Sequence, residues 1–153
     1  MKTSTFLMLI FFAMGAASQD VAQSPTRAQC AFSDGTSIIV TYSLGRQPYR
    51  LSINGPLVTT QGMSVPAGDY TANLEKDFHQ HWTLKMMKPF DGKGLFIVSP
   101  PMSVTTSAPP IEDPQASFDH TGGSCMLHLS QKTPGTVLSL EFTERNADMP
   151  MLQ

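Results

Sequence analysis

The run Ser124-Cys125-Met126-Leu127-His128-Leu129-Ser130 decides the fold. Cys125, Leu127 and Leu129 alternate with Met126, His128 and the flanking serines. An extended chain sends successive side chains to opposite faces, so this beat of two predicts a strand with one face in a core. The same beat recurs in both directions along the chain. Residues 137–143 place Leu138, Leu140 and Phe142 inside, and residues 36–43 do the same with Ile38, Val40 and Tyr42. Residues 69–75 turn Tyr70, Ala72 and Leu74 inward. Residues 81–87 put Trp82, Leu84 and Met86 inside, with His81, Thr83 and Lys85 outside. Shorter candidates are 49–53, 95–98, 102–106, 116–120 and a strand at Cys30. About nine or ten short strands are expected.

Turn residues separate them: Asp34-Gly35, Asn54-Gly55-Pro56, Pro66-Ala67-Gly68, Asp91-Gly92, Gly122-Gly123 and Pro134-Gly135. These supply positive φ or preset a bend. After Ser18 no stretch of ten residues carries a clear helical period. The expected architecture is all-β: one antiparallel β-sandwich or jelly-roll-like domain over residues 29–145. Residues 99–114 hold five prolines and are expected to cross between sheets or follow an edge, where missing donors do no harm.

Composition agrees with a folded domain. Of 153 residues 41% are hydrophobic and only 14% charged, well below the usual quarter. Such a chain buries enough apolar surface to fold. The net charge of −2 offers no basic patch, which argues against a nucleic-acid partner.

The N-terminus reads as a cleaved signal peptide. Lys2 precedes 12 uncharged residues from Phe6 to Ala17, and Ala16 and Ser18 occupy the small-residue positions before a cut at Gln19. The run is too short to span a bilayer, which takes roughly 18 to 20 residues. Residues 1–18 are thus expected to be removed. Residues 19–28 form a loose arm, and 146–153 a loose tail. The mature chain is expected in a periplasmic or extracellular space, without a transmembrane anchor. In that oxidising setting Cys30 and Cys125 should pair. Each lies on the apolar parity of its strand, Cys30 with Phe32 and Cys125 with Leu127, so both point into the core.

Three groups of residues invite chemistry. His79-x-His81 would share a strand face at about 6.5 to 7 Å, a spacing that holds one metal ion. Asp77 has the same parity. Met126 and His128 share an outward face on the Cys125 strand, and imidazole with thioether suits copper, with zinc as the other ion to consider. Were the two strands neighbours, His79, His81, Met126 and His128 would converge. The second group, Asp119-His120 with Ser124, has the residue types of a hydrolase. Adjacent strand residues point oppositely, however, so Asp119 cannot orient His120, and no Gly-x-Ser-x-Gly elbow is present. The phase set by Phe118 turns His120 inward. Third, a sugar platform needs exposed aromatics, and only Tyr49, Phe78 and Phe90 are not already assigned inward.

Three phrases carry a family resemblance. They are Asp34-Gly35 with Thr41-Tyr42-Ser43, Val65-Pro66-Ala67-Gly68-Asp69-Tyr70-Thr71 with Trp82-Thr83-Leu84, and Phe118-Asp119-His120-Thr121-Gly122-Gly123-Ser124-Cys125. In these the chain resembles the exported bacterial domain of unknown function 2911 family, in its short acidobacterial form, from about Cys30 to Phe142. Longer relatives carry a Trp-Arg-x-Gly-Ala-Asn phrase that residues 44–64 lack. The resemblance implies export and an all-β fold, and transfers no catalytic residue. The functional expectation is a non-catalytic binding or structural module of the cell envelope, with an envelope protein or glycan as partner. Metal binding through His79 and His81 is the alternative, and a hydrolase the weaker third.

Overall fold

The computed structural model describes residues 26–43, 46–92, 94–106, 115–131 and 135–145. The signal segment, most of the arm, residues 107–114 of the proline-rich stretch and the tail lie outside the described residues. Among the described residues there are twelve strands, in chain order β1 (Thr26–Ala31), β2 (Ser37–Ser43), β3 (Arg46–Ile53), β4 (Leu57–Thr59), β5 (Ser64–Val65) and β6 (Gly68–Lys76). The second half continues with β7 (Trp82–Pro89), β8 (Leu95–Val98), β9 (Ser103–Thr106), β10 (Ala116–Thr121), β11 (Ser124–Gln131) and β12 (Thr136–Glu144). One sheet runs β1-β2-β3-β6-β7-β8. The other runs β10-β11-β12-β4-β5, with β9 also paired to β12. The strand pairings are antiparallel throughout. The fold is an all-β sandwich, as the alternation requires.

Local chemistry sets the hairpins. At the β1–β2 turn the Asp34 carboxylate accepts the Thr36 N–H at 2.7 Å and the Thr36 hydroxyl at 3.0 Å. Gly35 sits at φ 89°, a conformation a side chain would strain. The turn then closes with the Phe32 N–H donating to the Thr36 carbonyl at 2.8 Å.

The two inner faces meet in one core. Ile38, Val40, Leu51, Leu84 and Met86 come from the first sheet, and Leu127, Leu129, Leu138, Leu140 and Phe142 from the second, all essentially without exposure. Burying each such side chain stabilises by about 1.5 to 3 kcal/mol. Cys30 of β1 and Cys125 of β11 form a disulfide with Cα atoms 6.2 Å apart, tying one sheet to the other. Nearby, the Tyr42 hydroxyl donates to the Ala116 carbonyl, again across the sandwich.

Pro100 and Pro101 lie on the sheet edge, where donors are not wanted, and Pro109, Pro110 and Pro114 lie outside the described residues. After β8 the chain still follows β7: the Leu84 N–H donates to the Pro100 carbonyl, and the Met102 N–H to the Trp82 carbonyl. It then leaves for the second sheet, where β9 pairs with β12. The stretch therefore both follows an edge and crosses.

Several expectations need correction. β4 and β5, three and two residues long, were not foreseen. β1 begins at Thr26, so Thr26–Ala28 is strand rather than arm. β7 begins at Trp82, so His79 and His81 lie in the preceding turn and not on a strand. His120 has the inward parity but is exposed, because β10 is an edge strand and the pair His120–Cys125 lies near its end. Tyr49 is buried, and its hydroxyl accepts a bond from the Gln131 side chain. Phe78 and Phe90 are exposed, on turns at separate places in the chain, and form no aromatic platform.

Candidate functional sites

The β6–β7 turn holds the two sequence-predicted metal ligands. Asp77 organises it: its carboxylate accepts the His81 N–H at 2.8 Å, and its own N–H donates to the His81 carbonyl at 2.9 Å. Gln80 adopts φ 70° to close the bend. Asp77 Oδ2 also lies 3.3 Å from His81 Nδ1. The backbone N–H of His81, with the nearby imidazole, holds the Asp77 carboxyl below its ordinary range. The His79 and His81 ring centroids are 6.0 Å apart, and both rings are exposed.

A depressed carboxyl pKa contributes stability that is present above the unfolded value of about 3.9 and lost as pH falls through the folded value. The His81 amide is therefore expected to exchange faster as pH drops below about 4, beyond the intrinsic rate change. In Asp77→Asn that acid dependence should vanish. Amide exchange read by nuclear magnetic resonance between pH 2 and 6 checks it.

Met126 and His128 are elsewhere. Both face outward on β11 in the second sheet, whereas His79 and His81 belong to a turn of the first. The four do not converge, and the expected shared ion has no common site. His128 is in any case occupied at both ring nitrogens. Nε2 is 2.8 Å from Asp119 Oδ2, and Nδ1 is 2.7 Å from the Ser139 hydroxyl. Asp119 thus pairs with His128, not with its neighbour His120. Ser124 donates to the Thr121 carbonyl and takes no part.

This arrangement was missed, although a signal for it exists in the sequence. Gly122-Gly123 is a two-residue turn, and such turns fix hairpin register. Counting back from Thr121 opposite Ser124 sets Asp119 opposite Met126 and Ser117 opposite His128. Asp119 and His128 are then diagonal neighbours on one face, within reach of each other.

Among the described residues, one cluster gathers three residues able to ligate a metal: Cys30, Cys125 and His120. Both sulfurs are already consumed by the disulfide, so the oxidised protein offers an ion only the imidazole there.

The outer face of the first sheet carries two adjoining hollows. A groove of about 310 Å³ is lined by Thr41, Arg50, Ser52, Asp69 and Thr71 together with backbone of Leu51 and Tyr70. A second hollow of about 160 Å³ adjoins it through Thr41 and Arg50 and reaches Ser43 and Pro48. The register explains the lining. Arg27, Thr41, Arg50 and Thr71 stand in one row across β1, β2, β3 and β6, with Ser52 opposite Asp69 in the next. The Ser52 hydroxyl donates to Asp69 at 2.7 Å. Among the described residues, the Arg50 guanidinium has no hydrogen-bond or ion-pair partner.

No described helix is long and apolar enough to cross a membrane. Comparison with family models, curated proteins and solved structures gives no match for this chain.

Proposed function

We propose that the chain is an exported binding module of the bacterial envelope. It carries a signal peptide at residues 1–18 and uses the outer face of the first sheet to hold a polar, acidic ligand. The observation behind this reading is the pair of adjoining hollows that share Arg50. An exposed guanidinium without a partner among the described residues is a ready receptor for a carboxylate, which it grips with two parallel N–H donors. Thr41, Ser43, Ser52 and Thr71 add hydroxyls that suit a hydroxyl-rich ligand. The lining side chains include no aromatic ring facing outward, so recognition rests on hydrogen bonds and charge rather than stacking. The disulfide fits a periplasmic or extracellular site. Membership of the domain of unknown function 2911 family is part of the same proposal.

A tetragalacturonate, a short oligosaccharide with a carboxylate on each ring, is the probe of choice. Titration calorimetry is expected to show binding that weakens at least about tenfold in Arg50→Ala, the scale of one lost charged hydrogen bond. The uncharged tetrasaccharide should bind more weakly. Equal binding of both sugars, or no effect of Arg50→Ala, would overturn the reading.

A second reading concerns metal and narrows to two ligands. Asp77 engages His81 Nδ1, which leaves Nε2 outward beside the His79 ring. A carboxylate behind a histidine is the usual support of a metal-binding imidazole. Titration with copper and with zinc should show micromolar binding that His81→Ala abolishes and Met126→Ala leaves unchanged. Binding weaker than micromolar, or persisting in His81→Ala, ends this reading.

A further inference from the structure

We propose that Ser139, on the outer face of the second sheet, is an activated nucleophile toward acyl esters, with His128 as its general base and Asp119 as the group that orients the base. The site is separate from the sugar groove and rests on different observations.

The strand register assembles it. Ser117, His128, Ser139 and Ser103 stand in one row across β10, β11, β12 and β9. The row faces outward because it alternates with the buried Ala116, Leu129 and Leu138. Asp119, two residues along β10 from Ser117, reaches diagonally to the imidazole.

Two hydrogen bonds then fix the proton positions. An ionised carboxylate only accepts, so His128 Nε2 carries the hydrogen and donates to Asp119 across 2.8 Å. Nδ1 is left with a lone pair, aimed at the Ser139 hydroxyl 2.7 Å away. With the imidazole neutral, that hydroxyl is the donor. A serine whose proton is held by an imidazole, itself held by a carboxylate, is the arrangement that makes a serine oxygen nucleophilic. The two ring nitrogens are exchanged relative to the commonest triad order. The chemistry needs the continuous chain of bonds and a basic nitrogen, and either ring nitrogen provides one.

The step balances. The Ser139 oxygen attacks the ester carbonyl carbon as its proton passes to His128 Nδ1. The carbonyl electron pair moves to oxygen, and the Ser103 hydroxyl, which donates to the Ser139 carbonyl at 3.3 Å in the resting protein, turns from that acceptor to the new oxyanion. The intermediate collapses, the carbon–oxygen bond to the leaving group breaks, and the departing alkoxide takes the proton from Nδ1. Water then attacks the acyl carbonyl carbon and passes its proton to His128 Nδ1; the bond from that carbon to the Ser139 oxygen breaks, Ser139 takes the proton back from Nδ1, and the acid is released.

Exposure sets the substrate class. The His128 side chain is 25% exposed and that of Asp119 75%. The base is therefore partly shielded while the row opens onto a broad sheet face. An ester displayed on a polymer or surface fits such a face better than a small molecule that needs enclosure.

The test uses the processed full chain, with a fluorophosphonate probe and p-nitrophenyl acetate. Peptide mass mapping is expected to find the phosphonyl adduct on Ser139. Ser139→Ala should lose the adduct, and labelling should slow by about a hundredfold in His128→Gln, the scale of a lost general base. Asp119→Asn should lower ester turnover. A tie that is only structural predicts loss of stability in these variants and no adduct in the parent. Circular dichroism and the intact Cys30–Cys125 link confirm that each variant is folded. No adduct on Ser139, or labelling of His128→Gln at the parent rate, overturns the proposal. Neither result bears on Arg50 and the groove, which are tested by sugar binding.

Discussion

Replacing Cys30 and Cys125 together by alanine is expected to lower the unfolding free energy by about 4 to 5 kcal/mol. The crosslink joins residues 95 apart in sequence, so it removes much of the freedom of the unfolded chain. Domains of this size are stable by about 5 to 15 kcal/mol, so the loss takes a large share of the total. In urea the midpoint should fall. The dependence on denaturant should also steepen, because the uncrosslinked chain exposes more surface when unfolded. A double variant as stable as the parent would show that the link constrains nothing. Both cysteines are also buried, so replacement by serine should cost more than replacement by alanine. Each hydroxyl would need a partner that an apolar site does not offer.

Phe142→Ala is expected to cost about 3 to 5 kcal/mol. Phe142 lies on β12, the strand that β11, β4 and β9 all pair with, and it is fully buried opposite Cys125 on one side and Thr59 on the other. Truncation would open a cavity where three strands meet, and the surrounding ladder cannot collapse into it. Phe78→Ala is the matched contrast. Phe78 is 86% exposed at the β6–β7 turn, so its loss should change stability by less than about 0.5 kcal/mol. Chemical unfolding of the two variants side by side checks both figures. Similar losses would mean that the assignment of inward and outward faces is wrong.

Much of this was legible in the sequence. β2, β6, β11 and β12 each run seven to nine residues with strict alternation, and their buried sets match the expectation residue by residue. The partnership of Cys30 and Cys125 followed from the expected oxidising compartment together with the inward parity of both residues. β4 and β5 were not legible because strands of three and two residues are too short to display a period. Their place is set by pairing to β12 and to each other, a long-range fact. The error at His79 and His81 has a local cause. Asp77 caps the turn through its side chain, and Gln80 takes a backbone conformation that non-glycine residues seldom adopt. Nothing in the type of either residue demanded that. The tie from Asp119 through His128 to Ser139 depends on the register of three strands. Local alternation assigns each of these residues a face but not a neighbour, so only the glycine turn between β10 and β11 hinted at the first pair.

The central claim is that the strand bearing Cys30 and the strand bearing Cys125 face each other across one core. Peptide mapping of the exported protein without reductant tests it most directly. A disulfide forms only between residues whose Cα atoms approach within about 7 Å. The account predicts one crosslinked species joining the peptide that contains Cys30 to the peptide that contains Cys125. Two free thiols in the folded, exported protein would contradict it.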